Sequence, residues 1–345
     1  MGKRVLLCLS HAIEEYQQVD LLSSLGYEVA SLGAYIDPAN PHVDIRPPLP
    51  DVPKYDVIHD ESERLKAEGL EPQEHISDKM FEWLGDDGIL IFHHYLARLY
   101  SQWDRVRDWR AGNPERRVIW RSVGQSVANN EREASPFRMT GLERVIYSPK
   151  ERNIPDYTGD DALIRFWGDE VDEAWTGART KVITVAQNLR QREPFTNWSF
   201  WDSATRDLPR TVIGPGSEVI GGTGMVTPAE LRAHLLQSRA FLFTGTQPAS
   251  YTLGLVEAMH AGIPTVSIGP VWMAIDFGGH DGTKLFEAHD LAPLWSNDPN
   301  AVRHILRELL HDWDYAAEIS AVTRRLARMY FDRETVGRQW AEFLG

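Results

Sequence analysis

Apolar and polar positions along this chain follow two rhythms. Short apolar runs, each the length of a buried strand, recur at KRVLLCLS, YEVASLG, GILIF, RRVIWRSV and LERVIYS. Between them lie stretches with helical spacing: AIEEYQQVDLLSSLG, closed by Gly26, then ISDKMFEWL, then one long helix over YLARLYSQWDRVRDWR. Strands separated by helices predict a mainly parallel α/β sheet. The Pro-rich passage DPANPHVDIRPPLPDVP reads as loop or extended chain. A polar, acidic, turn-rich stretch near 150–180 reads as a linker, after which the alternation restarts. KVITVAQ, RTVIGPG, AFLFTG and IPTVSIG are predicted strands, TPAELRAHLLQS and TLGLVEAMHAG predicted helices, and the tail from 299 onward is helical almost throughout. The expected organisation is an α/β half over 1–165, a second over 166–325 and a final helix over 326–345.

Composition narrows the class. The chain has 345 residues, enough for about two domains. With 42% hydrophobic and 25% charged residues it has globular composition. A net charge of −14 disfavours a surface that grips nucleic acid or an anionic membrane as a whole. One stretch runs the other way: seven Arg from Arg98 to Arg121 face only Asp104, Asp108 and Glu115. The bland account is a solvated helix face with pairs such as Asp104 with Arg107; the functional one is a cleft for an anionic acceptor, with Arg105, Trp109 and Arg121 as its contacts. Nucleic acid stays open on that ground but is not favoured. The single Cys8 excludes an internal disulfide and a Cys-based zinc cluster. No apolar run reaches about 18 residues, and VLLCL is too short for a signal peptide, so a cytoplasmic protein is expected. Twelve Trp are a surplus, with Trp103, Trp109, Trp198 and Trp201 the candidates for stacking on a sugar or base.

The most informative segment is AFLFTGTQPASYTLGLVEAMHAGIPTVSIG, residues 240–269. It reads as strand, polar loop, helix and strand. The loop brings small and hydroxylated residues to a helix start, where unpaired N–H groups and the helix dipole favour an anion. Glu257 follows about one turn into that helix. A carboxylate there repels phosphate but suits the paired hydroxyls of a ribose. A nucleoside diphosphate is held by that combination, and the carboxyl end of a parallel strand is where α/β proteins bind ligands.

This segment resembles the donor-binding region of retaining glycosyltransferases with the GT-B fold, of the family 4 (group 1) type. The match rests on Gly254, Leu255, Glu257, Ala258, Met259, Gly262 and Pro264; the family's first Glu is replaced by Ala249. VITVAQNLRQR resembles the strand and loop that supply the diphosphate contacts, here Arg190 and Arg192, although Ala186 and Gln187 stand where the family has Gly-Arg. ILIFHHY resembles the strand ending in a His that lines the donor sugar, which makes His93 and His94 the catalytic-side candidates. The resemblance implies two Rossmann-like domains with parallel sheets facing a central cleft and a C-terminal helix crossing back. It also implies sugar transfer with retention to a hydroxyl acceptor, no obligatory metal, and no cofactor beyond the nucleotide-diphosphate sugar. Donor contacts are then Arg190, Arg192, Ser250, Tyr251, Thr252, Leu253 and Glu257.

Other readings keep a place. A nucleotide-sugar epimerase needs no acceptor, and a non-catalytic binding protein fits the missing Glu at 249. Gly124-Gln125-Ser126-Val127-Ala128 follows a strand and nearly matches a nucleophile elbow, but ends in Ala, and the following ANNERE is a poor buried helix. The sole Asp-x-Asp triplet, Asp312-Trp313-Asp314, lies between tail helices rather than at a strand end. His11, after the first strand, is a weaker site candidate.

Overall fold

A computed structural model describes residues 2–8, 12–33, 55–93, 96–123, 127–247, 249–269 and 294–345. The Pro-rich passage, His11, His94 and Ser126 lie outside the described residues. The chain divides into two compact units: Met1–Tyr147 with Pro155–Ile164 and Gly337–Gly345, and Ser148–Ile154 with Arg165–Val336.

In the first unit β1 (Arg4–Cys8), β2 (Glu28–Ser31), β3 (Ile89–His93), β4 (Arg117–Arg121), β5 (Glu143–Ile146) and β6 (Ala162–Leu163) form one sheet in the order β2-β1-β3-β4-β5-β6. All its pairings are parallel. The central strands are apolar without alternation because both faces are covered: every residue of β3 is buried. Helices α1 (Ala12–Ser24), α2 (Asp56–Ala67), α3 (Asp78–Leu84), α4 (Ala97–Tyr100), α5 (Trp103–Ala111) and α6 (Ala128–Met139) make the crossovers. Leu6, Phe92, Val118, Trp120, Met80, Leu99, Val106 and Trp109 share the core on one side.

Two expectations change here. The single long helix over 95–110 is two helices, broken at Gln102. That side chain donates to the carbonyls of Gln73 and Arg98, both at 2.9 Å, and accepts from the Ile76 N–H at 3.0 Å. Local helical spacing loses to two bonds to the 73–76 segment and one back to Arg98. The stretch after Val127, poor as a buried helix by composition, nonetheless forms α6. Its Glu131 is buried and pairs with the buried Arg144 at 2.5 Å, while the Arg144 guanidinium lies 4.2 Å from the centre of the Trp120 ring. Most of α6 stays at the surface; only Glu131 and Ala134 are buried, and the Glu131 charge is paired where it enters the core.

The second unit holds β7 (Arg179–Val185), β8 (Arg210–Ile213), β9 (Ser238–Phe243), β10 (Thr265–Ile268) and β11 (Trp295–Ser296), parallel throughout, in the order β11-β10-β9-β7-β8. Its helices are α7 (Trp198–Thr205), α8 (Pro228–Gln237), α9 (Leu253–Ala261), α10 (Pro299–His311) and α11 (Trp313–Phe331). α8 starts at a capping box: Thr227 accepts from the Glu230 N–H while the Glu230 carboxylate accepts from Thr227 N–H. Asp298 and Asp312 cap α10 and α11, each at 2.9 Å from a first-turn N–H. The helical tail is thus three helices, with Asp312 closing one and opening the next. The last, α12 (Arg333–Leu344), ends with the first unit's residues. There Arg117 donates to the Phe343 carbonyl at 2.6 Å and lies 4.3 Å from the centre of its ring. Among the described residues no helix is long and apolar enough to cross a membrane.

Candidate functional site

Sheet order locates the site of the second unit. The chain runs from β7 outward to β8, then returns to place β9 on the other flank of β7. The loops that leave the carboxyl ends of β7 and β9 therefore diverge, and an open α/β sheet binds ligands at such a switch point. These are the loop over 186–197, which carries Arg190 and Arg192, and the loop over 244–252.

The structure stitches these loops together. Asn197 Nδ2 donates to the Thr244 carbonyl at 2.8 Å, and the Gln247 N–H donates to the Phe195 carbonyl at 2.7 Å. Thr184 Oγ1 donates to the Leu242 carbonyl at 2.8 Å and accepts from Trp201 Nε1 at 2.9 Å. The loop after β8 joins the set: the Asn188 N–H bonds the Pro215 carbonyl at 2.8 Å, and Gln191 Nε2 bonds the Gly216 carbonyl at 3.0 Å. Gly216 sits at φ +74°, and a Cβ there would lie 2.0 Å from Asn188 Oδ1. Conformation favours glycine there, and a side chain would also displace the Asn188 amide. Nothing in the hydrophobic pattern marks Asn188, Glu193 or Asn197; the Gly-Pro-Gly turn after β8 is the one local signal of this junction.

Helix α9 points its amino end at the same edge. Gly254 in its first turn is pressed against β7, where a Cβ would meet Val185 Cγ1 at 3.3 Å. Thr252 takes the N-cap position with extended backbone and no side-chain cap bond. The first-turn N–H groups are thus not satisfied by a cap, which is the electropositive arrangement an anion uses. The neighbouring α7 differs: the Glu193 carboxylate accepts from the Trp198 N–H at 2.5 Å and from the Ser199 N–H at 3.4 Å. The protein neutralises one helix end in this edge and leaves the other uncapped. Gly262, at φ +74°, closes α9.

The predicted donor residues divide by burial. Ser250 and Tyr251 are buried, and Tyr251 OH accepts from the Phe166 N–H at 3.2 Å, so Tyr251 anchors the loop. Thr252, Leu253 and Glu257 are half-buried, and Ala249 closes a turn onto the Thr246 carbonyl at 2.8 Å. Arg190 is exposed, with its guanidinium 5.7 Å from the centre of the Trp198 ring; Arg192 is half-buried. Trp201 is buried and bonded to Thr184, which makes it core, while Trp198 stays half-buried beside Arg190.

In the first unit, His93 ends β3 and is 1% exposed. Arg121 is also 1% exposed: it donates to the Ile164 carbonyl at 2.5 Å and lies 3.5 Å from Glu14, whose carboxyl burial pushes up against the opposing pull of Arg121. The acceptor contact expected at Arg121 is therefore corrected: this guanidinium is an internal counter-ion. Trp109 is likewise interior, covered by Arg116 at 5.3 Å and Phe81 at 5.4 Å. Arg105 remains at the surface, paired with Asp78 at 2.5 Å. Arg107 takes Asp104 at 2.9 Å, as the helical spacing predicts. Burial pushes the Cys8 thiol up, which leaves it unreactive. Among the described residues no cluster of His, Cys, Asp and Glu is arranged to hold a metal ion.

No protein-family model matches the chain, and no curated protein does either. Solved structures do. HepE of Anabaena, in complex with UDP and glucose, superposes with a TM-score of 0.62 at 13% identity, covering 100% of this chain and 99% of that one. A glycosyltransferase from Rickettsia africae gives 0.61 at 10% identity, over 99% and 98%. TarM gives 0.56 at 11% identity over 77% of this chain, which spans only 57% of TarM. What these likenesses establish is the architecture: two parallel α/β sheets of the GT-B type.

Proposed function

We propose that this protein is a glycosyltransferase that moves a sugar from a nucleotide-diphosphate sugar to a hydroxyl acceptor. The observation that carries the reading is the carboxyl edge of the second sheet. The loop bearing Arg190 and Arg192 is hydrogen-bonded at the switch point to the loop that leads into the uncapped start of α9, and Glu257 lies one turn into that helix. Arg190 and Arg192 would meet the diphosphate with forked N–H donors. The N–H groups from Ser250 to Leu253 would take the oxygens nearest the helix. As the bond between the anomeric carbon and the phosphate oxygen breaks, charge collects on the leaving diphosphate, and fixed donors stabilise it there. The acceptor oxygen forms the new bond to the anomeric carbon and its proton passes to the departing phosphate oxygen. Glu257 would hold the ribose hydroxyls.

Retention and independence from metal enter as proposals through the family resemblance. A uridine donor is favoured as the first trial, since HepE binds UDP-glucose. Ala249, which supplies no carboxylate, favours a second reading in which donor binds without transfer. Incubation with UDP-glucose labelled in the sugar, with and without a glycan and lipid acceptor panel, separates them. Label in a product only when acceptor is present supports transfer. Donor binding with no product supports the second reading, and change of the sugar without acceptor supports an epimerase.

A further inference from the structure

Several arginines of this protein lie over an indole ring and are also paired with a carboxylate. Arg116 sits 5.3 Å from the centre of the Trp109 ring and pairs with Asp86 at 3.1 Å. Arg144 sits 4.2 Å from the centre of the Trp120 ring and pairs with Glu131 at 2.5 Å. Arg210 sits 4.5 Å from the centre of the Trp201 ring and pairs with Asp202 at 2.9 Å. Arg190 departs from the pattern. Its guanidinium lies 5.7 Å from the centre of the Trp198 ring, and among the described residues no carboxylate or carbonyl accepts from it. The carboxylate closest to it in sequence is turned elsewhere: Glu193 accepts from the Trp198 and Ser199 N–H groups at 2.5 and 3.4 Å.

The ring beside Arg190 is itself fixed. Trp198 stacks on Trp201, with centroids 5.2 Å apart and planes at 25°. Trp201 is buried, its Nε1 donates to Thr184 Oγ1 at 2.9 Å, and Thr184 donates to the Leu242 carbonyl at 2.8 Å. Trp198 also opens α7, where the Glu193 carboxylate holds its backbone. The series Arg190, Trp198, Trp201 is thereby anchored in β7 and β9, the two strands whose carboxyl ends diverge at the switch point. A carboxylate would hold Arg190 as firmly, but it would neutralise the charge and occupy the forked N–H groups. An aromatic face attracts a guanidinium through the ring quadrupole and leaves the N–H edge open to an anion. An arginine held in place beforehand also loses less side-chain freedom when that anion arrives.

We propose that Trp198 is a positioning residue for the donor diphosphate, holding Arg190 in place without neutralising it. The inference rests on the reading of Arg190 as a diphosphate contact. A purely structural Trp198, one that only covers Trp201, would affect the site through packing and without regard to Arg190. The two roles therefore differ in whether Trp198 and Arg190 are coupled.

The test is a double-mutant cycle on the full chain, read as UDP affinity by titration calorimetry. Arg190→Gln weakens UDP binding by about tenfold or more, the worth of a hydrogen bond to a charged group. Trp198→Leu weakens it by about two- to fivefold, the worth of an exposed cation–π contact, and Trp198→Phe, which keeps a ring face, by less. In the Arg190→Gln background, Trp198→Leu weakens binding no further. Losses that multiply in the double variant, or no loss in Trp198→Leu, overturn the role of Trp198. A second measurement needs no Trp198 variant: the Arg190 Nε–H resonance, assigned by its disappearance in Arg190→Gln, is displaced upfield by the indole ring current and moves when UDP is added. A resonance at the position of a free arginine overturns the proposal. GDP, ADP and TDP are titrated into wild type as well. Failure of all four nucleotides to bind wild type overturns the donor reading itself, whereas uncoupled losses in a protein that binds one of them overturn only the part played by Trp198.

Discussion

Glu257 illustrates what a single residue can and cannot reveal. Its place was readable because Gly254, Gly262 and Pro264 bracket it with a helix start and stop, and the structure puts it half-buried one turn into α9. Replacing it with Ala should weaken donor binding by about 10- to 100-fold, the worth of a hydrogen bond to a charged group. The melting temperature without ligand should move little. Isothermal titration beside a melting curve checks both. Arg121 is the opposite case. It stands in a basic stretch that looks solvated, yet its partner is Glu14, more than a hundred positions away, and it is enclosed. A one-dimensional pattern carries no signal for a counter-ion at that distance. Glu61 shows the same effect with a measurable consequence. Only 4% exposed, its carboxylate bonds Lys79 at 2.7 Å and Arg64 at 3.0 Å, and these partners with Ser77 hold it at about 2. A depressed carboxyl contributes stability that is fully present above its unfolded value near 4.5 and is lost as pH falls toward 2. Glu61→Gln should therefore cost about 1–3 kcal/mol at pH 7 and progressively less below pH 4 in urea titrations. A cost independent of pH would contradict the assignment.

Among the elements, strands and crossover helices were legible wherever the apolar rhythm was clean, as at β3, β9 and α9. The misreading at 95–110 has a physical cause: Gln102 breaks a helix whose spacing is continuous, because bonds to a distant segment outweigh local preference. The loops after β7 and β8 were legible only as turns. Their interlock through Asn188 and Gly216 is a tertiary fact, and it makes a prediction. Gly216→Ala places a Cβ 2.0 Å from Asn188 Oδ1 at a φ of +74°. The left-handed backbone alone costs about 1–2 kcal/mol. The variant should melt lower, and its loss of donor affinity should exceed that of Gly221→Ala, also at positive φ but with open space around its Cβ. Equal behaviour of the two variants would show that the junction does not shape the site.

At the scale of the whole molecule, the division into two α/β units was readable from the restart of the alternation near residue 181. The chain also crosses over once before that restart, since Ser148–Ile154 belongs to the second unit and Pro155–Ile164 to the first. The net charge of −14 says little about the candidate site, because Arg105, Arg107, Arg116, Arg117 and Arg121 of the basic stretch pair with Asp78, Asp104, Asp108, Asp86, Glu143 and Glu14. The central claim is that the carboxyl edge of the second sheet holds a nucleotide-diphosphate sugar, and ligand-induced stabilisation tests it most directly. Melting curves are recorded with UDP, GDP, ADP and TDP sugars for wild type and for Glu257→Ala. A ligand at about 100 times its dissociation constant adds about 2.7 kcal/mol, which raises the midpoint by about 5–10 °C for units of this size. The account predicts such a shift with one nucleotide class in wild type and a much smaller one in Glu257→Ala. No shift with any of the four, or the same shift in both proteins, would contradict it.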